Sequence, residues 1–333
     1  MKTVIALAAI GCAVVSAVGQ ATEFHCDEST LMQIHGKWSD GAIATQGADS
    51  SFPKSQHPEV KTRIRAMVEL LREAYPQPMG LDVSWSGQIA GISYLKDGPL
   101  PFYVSGYFFP YFCNGLARQS EPSGETATFV KIWANSFGGE DSYFERVGDW
   151  TIGGKLRTVF RLPPRVGTWK GQRLMEPTGC RDRYRICRAV LIGHLGRLPI
   201  VVLTRRQFLE AVRARWQQRE ASDGRMRPFY EAKIAVADRL LTELSSADLA
   251  LPAILSRNRQ PEEFDGQFST EAEGGTAVFH FPAAYFQKDT PRGAPQFLLL
   301  LWQVATNSPA AQAFADQFES TFPIEKLQAM VDK

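Results

Sequence analysis

Apolar positions change their spacing twice along this chain, and those changes predict its elements. Val60, Ile64, Met67, Val68, Leu71 and Tyr75 recur at helical spacing and form one stripe, the mark of a helix with one buried face. Pro58 suits the first turn of that helix, and Pro76 with Pro78 stops it. From Leu81 to Leu203 the pattern shortens to runs rich in Val, Ile, Phe and Tyr, punctuated by Gly and Pro. This predicts strands over 81–86, 89–95, 101–113, 126–134, 157–162, 185–194 and 198–203. His194-Leu195-Gly196-Arg197 reads as the hairpin connection between the last two. Helical spacing then returns. Thr204 and Gln207 stand at capping-box spacing ahead of Phe208, Leu209, Val212 and Trp216. A second helix starts near Pro228 and carries Ile234, Ala237, Leu241 and Leu244. Strands near 276–281 and 297–304 precede short helices at 308–319 and 323–331. The run from Phe297 to Val304 is greasy at nearly every position, which fits a strand buried on both faces. Strands grouped before helices predict an α+β fold: a twisted, mainly antiparallel sheet with helices packed on one side.

The first residues follow another pattern. Lys2 precedes an apolar run from Val4 to Val18, and Gly19-Gln20-Ala21 offers small residues at −3 and −1. Residues 1–21 therefore read as a secretory signal peptide cut near Ala21, with Ala17 as a second site. Ala9-Ile10-Gly11-Cys12 is the weaker, lipoprotein reading, since alanine stands where an aliphatic residue is expected. Residues 22–57 read as an irregular arm, 58–203 as a helix plus a β-rich region, and 204–333 as a helical region with two late strands, packed with the preceding one. No later run is long enough to span a membrane as a helix.

Removal of that leader leaves Cys26, Cys113, Cys180 and Cys187, an even number suited to an oxidising compartment. Four cysteines allow three pairings, and proximity favours Cys180–Cys187 with Cys26–Cys113. In the chain-entropy picture the short loop contributes about 2–3 kcal/mol and the long one about 4–5 kcal/mol. No cysteine pair has the tight spacing of a zinc site, and His25 beside Cys26 is a lone neighbour. No metal or other cofactor is expected.

The segment Leu198-Pro199-Ile200-Val201-Val202-Leu203-Thr204-Arg205-Arg206-Gln207-Phe208-Leu209-Glu210 resembles one in uncharacterised secreted bacterial proteins, where a strand reads into P-V-T-R-K-x-Y-L and a helix. Leu203 stands here for the usual valine and Phe208 for the tyrosine. Gly124-Glu125-Thr126 ahead of Trp133-Ala134-Asn135, the stretch from Tyr285-Phe286 to Gln296-Phe297, and Ile324 to Met330 resemble the same group. The resemblance covers most of residues 60–330 and implies no known activity.

At 44% hydrophobic and 22% charged the composition is that of a globular protein. Its charge is uneven. From Arg181 to Arg227 twelve arginines face Asp182, Glu210, Glu220 and Asp223, a net +8 in a chain of net +2. Arginine's planar fork suits carboxylate, sulfate or phosphate, so one reading is an external partner, an anionic glycan, an envelope component or a protein, and not nucleic acid. The other, favoured because Arg205, Arg206, Arg213 and Arg219 do not share one helical face, is that these charges decorate outer faces and pair with the acidic remainder of the chain. Arg205 and Arg206 at the start of a helix need an anionic partner, internal (Glu125 is one candidate) or external. Together with Thr204 and His194 they are the candidate binding residues.

Catalytic motifs are sparse. Ser51 with Lys54 and Ser93 with Lys96 have Ser-x-x-Lys spacing but lack the companion Lys-Thr-Gly. Glu140, Asp141 and Glu145 have the chemistry of a glycosidase cleft, and equally that of a solvated loop. Tyr103, Tyr107 and Tyr111 share one face of their strand, where they either stack sugar rings or pack, and Phe102, Phe108 and Phe112 share the other. The first reading is an exported, non-enzymatic binding or envelope-associated protein. The alternative is a secreted hydrolase with dispersed acidic or serine residues.

Overall fold

The computed structural model describes residues 26–45, 54–89, 98–137, 144–177, 183–194, 197–287 and 289–331. Residues 1–21 with Cys12, and His25, Ser51, Ser93, Lys96, Glu140, Asp141, Cys180 and Asp182, lie outside these residues.

The chain begins with α1 (Glu28–Met32), β1 (Ala42–Ala44), α2 (His57–Ala74), β2 (Leu81–Ile89), β3 (Phe102–Asn114), β4 (Gln119–Pro122) and β5 (Phe129–Ala134). It continues through β6 (Arg146–Ile152), β7 (Lys155–Leu162), β8 (Arg165–Trp169), β9 (Gln172–Met175), β10 (Arg185–Gly193) and β11 (Val201–Val202). Then come α3 (Arg205–Ser222), α4 (Arg227–Glu243), α5 (Ser246–Ala250), β12 (Ile254–Leu255), β13 (Thr276–His280), β14 (Phe297–Ala305), α6 (Pro309–Thr321) and α7 (Ile324–Gln328).

The fold is α+β, and the described residues form two sheets where the spacing predicted one. The larger has nine strands, ordered β1-β2-β3-β5-β14-β10-β9-β8 with β4 added to β3. Its pairings are antiparallel apart from β1 on β2. The smaller has five strands, ordered β11-β13-β7-β6 with β12 added to β13. Side-chain alternation shows how they stack. In β14, Leu298, Leu300 and Trp302 pack with α2 and α6, while Phe297, Leu299 and Leu301 pack with Phe160 of β7 and Phe279 of β13. The far face of the smaller sheet, with Val159 and Val278, buries Phe208, Leu209 and Trp216 of α3. The layers therefore run helix, sheet, sheet, helix, each sheet carrying helices on its outer side. This doubling explains why β14 is apolar on both faces. Between the sheets Phe137 stacks on Phe144 and Phe281 at 5.0 and 4.8 Å; each buried ring contributes about 1.5–3 kcal/mol.

The hairpin expected around His194 does not form. β10 pairs with β14 and β9 in the larger sheet, whereas β11 pairs with β13 in the smaller. The chain leaves one layer for the other at Gly193, where a Cβ would run into the Arg197 carbonyl. Residues 198–200, expected to extend the strand, are that crossing, and only Val201–Val202 pair. The late strands interleave with the early ones: β14 lies between β5 and β10, and β13 between β7 and β11. The residues before α2 are less irregular than their pattern predicted. Their strand β1 extends the sheet in register Ala42 to Ser86, and Trp38 Nε1 donates to the Tyr75 carbonyl at 2.9 Å. Cys26 is bonded to Cys113 at 2.03 Å, which ties this arm to β3. Cys187, fully buried, is also disulfide-bonded. No helix among the described residues is long and apolar enough to cross a membrane.

Candidate functional site

A cavity of about 280 Å³ opens between the two sheets, beside the phenylalanine cluster. Alternation supplies its walls. Met175 of β9 and Leu191 of β10 reach in from the larger sheet, and Leu162 of β7 and Ala277 of β13 from the smaller. The crossing segment adds Leu198 and Ile200, β11 adds Val202, and the chain around β12 adds Pro252 and Ile254. Arg173 and Glu271 are the charged residues of the lining. Arg173 lies two residues before Met175 on β9, hence on the same face. Its Nη2 donates to Glu271 Oε1 at 2.8 Å, the two side chains being 30% and 43% exposed. Arg173 Nε is buried without a hydrogen-bond partner.

Glu271 stands on a turn whose backbone is held by other groups. Glu273 Oε2 accepts from Ser269 Oγ at 3.0 Å and from the Thr270 N–H at 2.9 Å. The bonds from Ser269 and Thr270 hold the Glu273 carboxyl below its usual range. At the other end of the crossing, Tyr285 Oη accepts from the His194 N–H at 2.9 Å and donates to the Gln296 carbonyl at 2.8 Å. Burial raises the Tyr285 pKa.

The residues expected to bind sit elsewhere. Thr204 caps α3 as its spacing predicted: its Oγ1 accepts from the Gln207 N–H at 3.2 Å, and Gln207 Oε1 accepts from the Thr204 N–H at 3.0 Å. Arg205 lays its guanidinium 4.8 Å over the Phe268 ring, with Nε buried and unpartnered. Arg206 is exposed. His194 follows β10 of the other sheet, so it is not carried beside Thr204 by strand pairing. Glu125 is not the partner of Arg205 either; it is exposed in the connection from β4 to β5 on the larger sheet, while α3 packs on the smaller.

Most other arginines of the basic segment are matched internally. Arg213 pairs with Asp238 at 3.0 Å, Arg215 and Arg219 share Glu262, and Arg227 reaches Glu220 at 3.3 Å. Arg188 and Arg257 share Glu176 at 3.8 and 2.9 Å. The tyrosine face of β3 is half-buried. Tyr103 lies 3.9 Å from Trp133 and bonds Gln88, and the Tyr111 hydroxyl donates to Asp82 Oδ1 at 2.8 Å. Burial and Asp82 push the Tyr111 pKa up to about 12.

Among the described residues no group of three or more His, Cys, Asp or Glu is placed to hold a metal ion. The cavity itself left no local mark in the sequence. Its walls come from residues 162 to 277, and their apolar character reads as ordinary core. Comparison with family models, curated proteins and solved structures finds no match for this chain.

Proposed function

We propose that this is an exported, non-enzymatic binding protein whose ligand occupies the cavity between the sheets. One observation carries the reading: a cavity of about 280 Å³ walled by aliphatic side chains, with a single charged pair in its lining. Ligand sites commonly combine apolar walls with a few placed polar groups. Export is supported by Lys2 and the apolar run after it, and by the Cys26–Cys113 bond, which suits an oxidising compartment. The resemblance to secreted bacterial proteins belongs with this reading; it suggests a compartment and no ligand. An anionic partner for the basic segment is secondary, because Arg213, Arg215, Arg219 and Arg227 already meet carboxylates of the chain.

The test is titration with the fluorophore 1-anilinonaphthalene-8-sulfonate. Saturable binding at one equivalent, lost in Val202→Phe at unchanged thermal stability, is the expected result. Absent binding, or binding indifferent to that substitution, removes the cavity as the site. Export is checked separately by N-terminal sequencing of the protein recovered outside the cytoplasm, which should begin at Thr22.

A further inference from the structure

We infer that the cavity takes a straight-chain aliphatic carboxylate of about ten carbons, its carboxylate replacing Glu271 on Arg173. This rests on the binding reading above and adds the ligand class.

Size sets the chain. A dry cavity of about 150 Å³ admits benzene, six carbons. On that scale 280 Å³ holds about eleven, so a ten-carbon chain fits within it. The aliphatic walls offer dispersion contacts along the length of a chain and no polar partner for hydroxyls along it.

Sign comes from the guanidinium. Nε and Nη2 lie on one edge of arginine and form a fork that a carboxylate fills with two parallel bonds. Glu271 uses only Nη2, and the buried Nε is left without an acceptor. An unmade bond at a buried donor is costly. A ligand carboxylate that takes both nitrogens corrects this, whereas a ligand cation placed on Glu271 leaves Nε as it is. Glu271 is also free to leave. It is the more exposed partner, and its turn stays held by Glu273, Ser269 and Thr270, with the Gly275 N–H donating to the Thr270 carbonyl at 2.9 Å. The pair therefore acts as a gate: closed on itself without ligand, and opened by exchange of one carboxylate for another.

The experiment is isothermal titration of the purified protein with sodium decanoate, decan-1-ol and decyltrimethylammonium at fixed ionic strength. Decanoate should bind at least tenfold more tightly than the other two, and shortening it to octanoate should weaken binding about fourfold per methylene. Arg173→Met should weaken decanoate at least tenfold and leave decan-1-ol unchanged, while Glu271→Gln should tighten decanoate. Should Arg173→Met fail to fold, Arg173→Lys keeps the charge without the fork and should still lose affinity. Equal binding of decanoate and decan-1-ol, or preference for decyltrimethylammonium, overturns the inference and leaves the cavity as a binding site. If no aliphatic probe binds but the naphthalene fluorophore does so in a Val202-dependent manner, the chain class is wrong and the site stands. If nothing binds, both readings fall.

Discussion

Arg161 offers the sharpest test of how the smaller sheet is held. It is 1% exposed on β7, yet it carries a charge into the layer between that sheet and α3. Its Nε and Nη2 donate to Thr276 Oγ1 at 2.9 and 2.6 Å, its Nη1 to Glu145 Oε2 at 3.2 Å, and its Nη2 also to the Ser256 carbonyl at 2.9 Å. One side chain thus ties β7 to β13, to the chain after β12, and to the approach to β6. Arg161→Leu keeps the apolar stem but removes every one of these bonds. Glu145, 30% exposed, can turn to water and loses little. Thr276 is fully buried, and its hydroxyl, like the Ser256 carbonyl, loses this donor. Each such group costs about 1–3 kcal/mol, so the expected loss is about 3–5 kcal/mol, the range for breaking a buried pair. Against a total stability of about 5–15 kcal/mol that is a large fraction. The assay is urea unfolding followed by tryptophan fluorescence with the disulfides kept oxidised, comparing wild type, Arg161→Leu and Glu145→Gln. Glu145→Gln should cost less than half as much. If Arg161→Leu unfolds within about 1 kcal/mol of wild type, the claim that this arginine fastens the sheet is wrong.

Other expectations follow from the same geometry. Cys26→Ser with Cys113→Ser opens a loop spanning 87 positions, and chain entropy puts the loss at about 4–5 kcal/mol; a denaturation midpoint unchanged from wild type would contradict this. Arg206→Ala should leave thermal stability unchanged because the side chain is exposed, whereas Arg205→Ala should cost about 0.5–2 kcal/mol through its lost contact with Phe268. Equal effects of the two in differential scanning calorimetry would refute that distinction. Tyr111 has its pKa raised to about 12, so folding favours the protonated phenol. Its contribution is full below the unfolded value near 10 and fades as pH rises through about 12. Wild type should lose stability across that window more steeply than Tyr111→Phe, and parallel curves would exclude the effect.

Local pattern was enough for the elements whose signal lies within a few residues. The stripe from Val60 to Leu71, the capping box of Thr204 and Gln207, and the double-sided greasiness of β14 were all legible, because periodicity and capping depend on neighbours along the chain. So was one covalent pair, Cys26–Cys113, as the favoured choice among three. The short strands β6, β8, β9 and β12 were not, since their pairing partners rather than their own residues make them strands. The division into two sheets was also hidden. Leu198 to Val202 has the composition of a returning hairpin strand, and nothing local distinguishes a return from a crossing to β13. Internal pairing of the basic segment was one of its two readings, but the partners of Arg213, Arg215 and Arg219 could not be named from it, because Asp238 and Glu262 lie beyond the segment. The cavity is the extreme case. Leu162, Arg173, Leu191, Glu271 and Ala277 come together only when two sheets stack with a gap between them, and a gap is a property of packing in three dimensions that no single stretch of chain encodes.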